Sequence, residues 1–411
     1  MAEADSRDRK RLKLKDFKLD ALLEITHAIN ARIEVDALLA LYRRVLETDL
    51  SIEKLILYHL ETTWKPTLYF GVKGSPPDIQ PEDEAQLFSG GSFNVTSRGK
   101  RESFDVAIPV MNDGKPFACV LVGDLEEKRG TSPVIKHMKF IQTITNIILV
   151  AIRNRKLEED KLRQERIRKE LELAAEMQSM LVPSSLPSND MYDVSAVYKP
   201  HIEVGGDYYD FFELPDGRML FCMADVSGKG LSAAFLMSNF QASLNALFRY
   251  VNPPLQEAVN LLNERVLTSA MGEKYITLFI AVFDRATRRL RYINCGHPPP
   301  VLVHPNGQSE LLTLGSIGVG MWDVIPRIQE GELTLDPGSL VMCYTDGLIE
   351  QENENDEAFG EHRLAELGRQ FVLSGEANVD VLNADILRAF DRFRGARGYI
   401  DDTALLSCRF L

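Results

Sequence analysis

The chain has 411 residues, more than one ordinary core accommodates, so two or three folded units are expected. Its 60 acidic against 47 basic residues leave a formal charge of -13, which argues against non-specific attraction to nucleic acid or anionic lipid, while 45% hydrophobic residues suffice to bury cores. The five cysteines, Cys119, Cys222, Cys295, Cys343 and Cys408, lie far apart with no CxxC, so neither a disulfide framework nor a zinc site is signalled.

Residues 1–19, opening MAEADSRDRKRLKLKDF, are charged where a signal peptide needs an apolar stretch and read as a tail. The longest apolar run, ITNIILVAI at 144–152, is too short to span a bilayer, so a cytoplasmic protein without membrane insertion is expected. From Asp20 to Leu50 the apolar residues Leu22, Ile25, Ile29, Ile33, Leu38, Leu41 and Val45 recur near the 3.6-residue period and predict helices. Strand-like runs follow at 54–60, 66–72, 103–110 and 117–125, the last two joined by the turn MNDGKP, and a further apolar helix is predicted over 132–152. This helix–sheet–helix order over residues 20–152 resembles a GAF domain, which implies an α/β sensor for a small ligand or a regulatory protein. A dimerisation module with a packed core and no ligand fits the same pattern.

Residues 153–190 read as a linker. Its first thirty residues, RNRKLEEDKLRQERIRKELELAAEMQSMLV, are about half charged and lack Gly and Pro. Ile167, Leu171, Ala174, Gln178 and Leu181 alternate spacings of four and three, the rhythm of a coiled-coil seam, so a parallel coiled coil and a homodimer are expected. A single helix packed on its own domains is the alternative. Pro183 ends the helix, and VPSSLPSND carries the chain onward.

In residues 191–411 four acidic segments recur, each at the edge of a strand-like run: VGGDYYDFF with Asp207 and Asp210, FCMADVSGKG with Asp225, LVMCYTDGLIE with Asp346 and Glu350, and YIDDTALL with Asp401 and Asp402. Carboxylates at strand ends, on loops of Gly and other small residues, suit a hard divalent cation, because the strand fixes the backbone while the loop lets oxygen ligands converge. Strands are predicted near 194–198, 218–225, 275–284, 289–294, 300–303 and 339–344, with hairpin signals PDG and PNG, and helices over 231–249 and 255–270.

GGDYYD, ADVSGKG, CGHPPP, YTDGLIE and the late Asp401–Asp402 pair, in this order, resemble the bacterial PPM (PP2C-type) family of metal-dependent serine/threonine phosphatases, in the branch typified by SpoIIE and RsbU. The resemblance reaches back into the linker at ELELAAEMQSMLVP. It implies an α+β chain ending in an αββα sandwich, with two Mn²⁺ or Mg²⁺ ions at one end of the sheets. Matched by position, Asp225 bridges the metals, the Val226 carbonyl is a backbone ligand, Asp346 and Asp401 are further ligands, and Asp207 reaches the metals directly or through water. Two such ions acidify a shared water for in-line attack on a phosphoester. The implied substrate is a phosphoserine on a STAS-domain anti-sigma factor antagonist, with regulation passed from the GAF-like domain through the linker. His297 is expected to be structural, Asp210, Asp402 and Glu350 to support the ligands, and Lys229 to attract phosphate or simply to be solvated. The closing segment departs from the family's D-D-x-T pattern, since Thr403 stands one place early. The rival functions are a catalytically silent phosphatase-like scaffold and a ligand sensor acting by oligomerisation.

Overall fold

The structure is a computed structural model that describes residues 2–76, 78, 93–97, 100–104, 106–112, 115–123, 133–201 and 204–411. The chain divides into two units, Met1–Gln164 and Glu165–Leu411. In the first, α1 (Ala2–Asn30) and α2 (Val35–Arg44) precede β1 (Lys54–Leu60), β2 (Trp64–Phe70), β3 (Phe93–Ser97), β4 (Lys100–Phe104), β5 (Val106–Asn112) and β6 (Lys115–Gly123). A four-stranded antiparallel sheet has the order β2–β1–β6–β5, and β3 pairs separately with β4. Alternation sorts β1: Leu55 and Leu57 join the core beneath the helices, whereas Ile56 and Tyr58 face a smaller cluster with Trp64 and Phe104.

The segment read as a tail is helical, since α1 begins at Ala2. The second strand starts at Trp64, earlier than expected, because its ring is fully buried. Asp105, the Asp113–Gly114 turn tip, Asp124–Leu125 and Ser132 were given to predicted elements and lie outside the described residues. The helix expected to stop near Ile152 runs on as α3 (Pro133–Ser179), because no Gly or Pro interrupts it before Pro183. A cavity of about 360 Å³ in the first unit is lined by Ile29, Ile33, Leu38, Ile152, Arg155 and Leu162, among others. No helix of the described residues is long and apolar enough to cross a membrane.

The second unit contains β7 (Tyr192–Lys199), β8 (Tyr208–Glu213), β9 (Met219–Val226), α4 (Leu231–Ala246), α5 (Leu255–Ala270), β10 (Ile276–Asp284), β11 (Arg289–Cys295), β12 (Val301–Val303), β13 (Ser309–Leu311), β14 (Gly315–Ser316), β15 (Gly331–Thr334) and β16 (Ser339–Tyr344). It closes with α6 (Asp346–Ile349), α7 (Gly360–Ser374), α8 (Val379–Arg394) and β17 (Thr403–Phe410). One sheet has the order β14–β11–β10–β9–β8, with β15 also on β11, and the other β13–β12–β16–β17–β7. Phe221, Phe279, Phe283, Val341, Leu406 and Phe410 belong to the apolar layer between the sheets. Phe240 of α4 and Leu262 of α5 join Leu220 and Cys222 in one outer core, and Leu364 and Phe371 of α7 and Ile386 of α8 join Met342 in the other. This is an αββα sandwich.

Candidate metal centre

The alternation of β-strands delivers the carboxylates. In β9, Met219, Phe221 and Met223 enter the layer between the sheets while Leu220, Cys222 and Ala224 pack under the helices, so Asp225 ends the inward row. Asp207 precedes the inward row Tyr209–Phe211 of β8, and Asp402 precedes the inward row Ala404–Leu406–Cys408–Phe410 of β17. Thr345 follows Val341 and Cys343 in β16. Pairing of Tyr208 with Ala224 and of Tyr344 with Leu405 puts these row ends at the same end of the sandwich.

Thr345 ties the two sheets together there. Its hydroxyl donates to Asp207 Oδ2 at 2.8 Å and accepts from the backbone N–H of Ala404 at 2.9 Å. Asp402 accepts from the N–H groups of His201 and Gly206, each at 2.8 Å, and so holds the Gly205–Gly206 strap that presents Asp207. The strap has no room for a side chain at Gly205 and little at Gly206. A Cβ on Gly205 would lie 2.0 Å from the Tyr198 hydroxyl, and one on Gly206 would lie 3.1 Å from the Val226 carbonyl oxygen.

These carboxylates repel one another in a poorly solvated space. Burial above all, then Asp225 and Asp402, hold the Asp207 carboxyl well above the usual carboxylate range, against the opposing bond from Thr345. Burial, followed by Asp346, Asp401 and Asp402, pushes Asp225 up to about 7, and a hydrogen bond from Asp207 opposes this. Asp346 is raised by burial, Asp401 and Glu350, and Asp402 by burial against its two N–H bonds. Convergent hard oxygens whose ionisation is this unfavourable fit divalent cations, which would supply the missing positive charge.

The loop after β9 supplies one cation of its own. Lys229 Nζ lies 2.8 Å from Asp401 Oδ2 and donates to the Ile400 carbonyl at 2.9 Å. Gly228 and Gly230 take φ of +86° and +76°, conformations closed to most side chains, which is why the loop reads Ser-Gly-Lys-Gly. As placed here, no three carboxylate, imidazole or thiol groups among the described residues stand close enough together to hold a metal ion.

The structure places Asp207, Asp225, Asp346 and Asp401 within electrostatic reach of one another at this end of the sandwich, next to the Val226 carbonyl that follows Asp225, with Asp402 as the support of the strap. Asp210 is elsewhere: it accepts from the Tyr208 hydroxyl and Asn245, on the sheet face beneath α4. His297 is buried, bonded to Thr277, and burial pushes it down to about 3, so it is neutral near pH 7 and unsuited to act as a general acid. Thr403 is buried and Ala404 takes the next inward position, while Asp401 accepts from the N–H of Asp402 at 2.9 Å. Sequence reasoning missed Thr345, although a hydroxyl ending an otherwise apolar inward row was its signal. It also placed Gln178 in a seam, whereas Gln178 is buried and hydrogen-bonded to Gly205, and Leu181 packs on the core beneath α4 and α5.

Comparison with known proteins matches residues 215–411 to the family "Stage II sporulation protein E (SpoIIE)". Protein IcfG of Synechocystis sp. is 30% identical over 254 residues, covering 54% of this chain and 39% of that protein. Phosphoserine phosphatase RsbU of Bacillus subtilis is 27% identical over 196 residues, covering 47% of this chain and 57% of that protein. The chain thus spans less than two thirds of the length of either. The SiaA-PP2C domain of Pseudomonas aeruginosa superposes with a TM-score of 0.53 at 21% identity, over 61% of this chain and 99% of that domain, and shares the fold. Residues 215–411 thus match a SpoIIE-type, PP2C-type phosphatase domain, similar to that of RsbU.

Proposed function

We propose that the chain is a metal-dependent protein serine phosphatase in bacterial partner-switching signalling. The observation that carries this reading is the gathering of Asp207, Asp225, Asp346 and Asp401 at one end of the sandwich, where burial and mutual repulsion raise Asp207, Asp225 and Asp346. In this reading Asp225, the Val226 carbonyl, Asp346, Asp401 and Asp207 would hold two ions, Mn²⁺ or Mg²⁺. Bound there, the ions supply a water acidic enough to attack a phosphoester near neutral pH. Thr345 orients Asp207, Asp402 fixes the strap, and Lys229, half exposed at the rim, is placed to meet a phosphate dianion.

The substrate in this proposal is a phosphoserine on a STAS-type antagonist protein, in a cytoplasmic setting. Support comes from the resemblance to RsbU-like enzymes, itself a phosphoserine phosphatase by name. The N-terminal unit, read as GAF-like, regulates the phosphatase through α3 in response to a small ligand or regulatory protein. A homodimer through α3 belongs to the same proposal, with a seam limited to residues such as Ile167, Leu171 and Ala174, because Gln178 and Leu181 are engaged within the chain. The acidic stretch 350–362 is a weaker candidate for partner recognition, since its Glu352 and Asp356 are both paired with Arg397.

The test compares initial rates of phosphate release by the full chain with Mn²⁺ on two substrates, a folded phosphoserine STAS protein and an unstructured phosphopeptide of the same local sequence. Release from the folded protein is expected to be at least about tenfold faster, equivalent to about 1.4 kcal/mol of recognition beyond the peptide. Equal rates leave a general phosphoprotein phosphatase. No release from either, with or without Mn²⁺, leaves the silent scaffold.

A further inference from the structure

Gln178 lies one residue before the end of α3, yet it is 8% exposed, in a stretch of that helix, residues 153–179, that is otherwise mostly exposed. Its carboxamide engages both backbone groups of one residue: Nε2 donates to the Gly205 carbonyl at 2.6 Å, and Oε1 accepts from the Gly205 N–H at 3.1 Å. That is the pattern by which a neighbouring β-strand satisfies a backbone, supplied here by a single side chain. Gly205 has no room on its other side, where Tyr198 and Asp402 lie against it. The next residue, Gly206, gives its N–H to Asp402, and the one after that is Asp207.

We propose that Gln178 is a positioning residue for the metal centre, acting from the end of α3 by clamping the strap that presents Asp207. The inference rests on the metal reading above. Asp402 holds the strap from the sheet side and Gln178 holds it from the helix side. Displacement of α3 along its axis withdraws both amide bonds at once and frees the backbone two residues before Asp207. The carboxamide is chemically specific, because a carboxylate lacks the donor for the Gly205 carbonyl and an aliphatic side chain leaves both backbone groups unpaired.

The experiment is calorimetric titration of Mn²⁺ into the full chain, wild type against Gln178→Glu, Gln178→Leu and Gln178→Asn, with Glu176→Ala as a control on the exposed side of the same turn. Melting curves in chelator establish that each variant folds. Aryl phosphate turnover at saturating and limiting Mn²⁺ gives a second readout. Supporting residues around metal ligands typically govern about 10- to 100-fold in affinity, so the Gln178 variants are expected to bind Mn²⁺ at least about tenfold more weakly. Turnover at saturating metal is expected to stay within about threefold of wild type in any variant that folds, because Gln178 touches neither substrate nor metal. Mn²⁺ affinity in folded Gln178→Glu and Gln178→Asn equal to that of wild type overturns the proposal while leaving the metal centre intact. A wild type that binds no Mn²⁺ instead overturns the metal reading itself, and the proposal with it.

Discussion

Asn in place of Asp225 is expected to slow aryl phosphate hydrolysis in Mn²⁺ by at least about a thousandfold, about 4 kcal/mol of barrier, and at the same time to raise the melting temperature of the chelated protein. The two effects have one cause. Asp225 is the carboxylate proposed to hold the cations, and it carries a charge that the fold alone tolerates poorly, its carboxyl being pushed up to about 7 by burial and by Asp346, Asp401 and Asp402. A carboxyl with an ordinary value near 3.9 when unfolded and about 7 when folded binds its proton more readily in the native state. Its ionisation therefore costs native stability progressively from about pH 4 to about pH 7, and the cost is constant above that. Asn removes that cost, a gain on the order of 4 kcal/mol at pH 7.5 that vanishes near pH 4. Chelated melting curves across this range, with turnover in Mn²⁺, check both halves. Near-normal turnover would remove Asp225 from the metal centre, and a chelated mutant less stable than wild type at pH 7.5 would show that the carboxylate is not under repulsion.

Gly205→Ala is the second large effect. The new methyl would lie 2.0 Å from the Tyr198 hydroxyl and 2.4 Å from Asp402 Oδ2, so the strap has to move. Movement takes Gly205 off Gln178 and Gly206 off Asp402. Overpacking together with loss of buried hydrogen bonds is expected to cost about 3 kcal/mol or more, a fall in melting temperature of roughly 6–12 °C for a unit of this size. The Tyr198 hydroxyl has no hydrogen-bond partner among the described residues, so Tyr198→Phe alone is expected to be within about 1 kcal/mol of wild type. Adding it to Gly205→Ala relieves the closest contact and is expected to recover about 1 kcal/mol or more. A Gly205→Ala protein melting with wild type would mean that the strap is not confined as described.

Much of the phosphatase unit was legible because β-strands write their geometry into every second residue. Leu220, Cys222 and Ala224 against Phe221, Met223 and Asp225 read directly as two faces, and the carboxylate at the end of one face marks the edge of the core. The same alternation places Asp210 on the helix side, away from Asp207, although both lie in GGDYYD. Helical spacing is less informative. Leu171, Ala174 and Gln178 share a face whether that face meets a second helix or the chain's own domain, and only the folded backbone of Gly205 distinguishes the two. The N-terminal segment misled for a related reason: charge marks a surface, and a helix from Ala2 onward can be as charged as a tail. Thr345 was overlooked because one hydroxyl between Tyr344 and Asp346 announces nothing until β16 and β8 are brought side by side at the end of the sandwich.

The most direct test of the central claim is diffraction from Mn²⁺-soaked crystals at the manganese absorption edge. The account predicts two anomalous peaks, about 3.5–4 Å apart, with Asp225 between them and Asp346, Asp401 and the Val226 carbonyl around them. Absence of any peak within reach of Asp225, in crystals soaked at millimolar Mn²⁺, would contradict it.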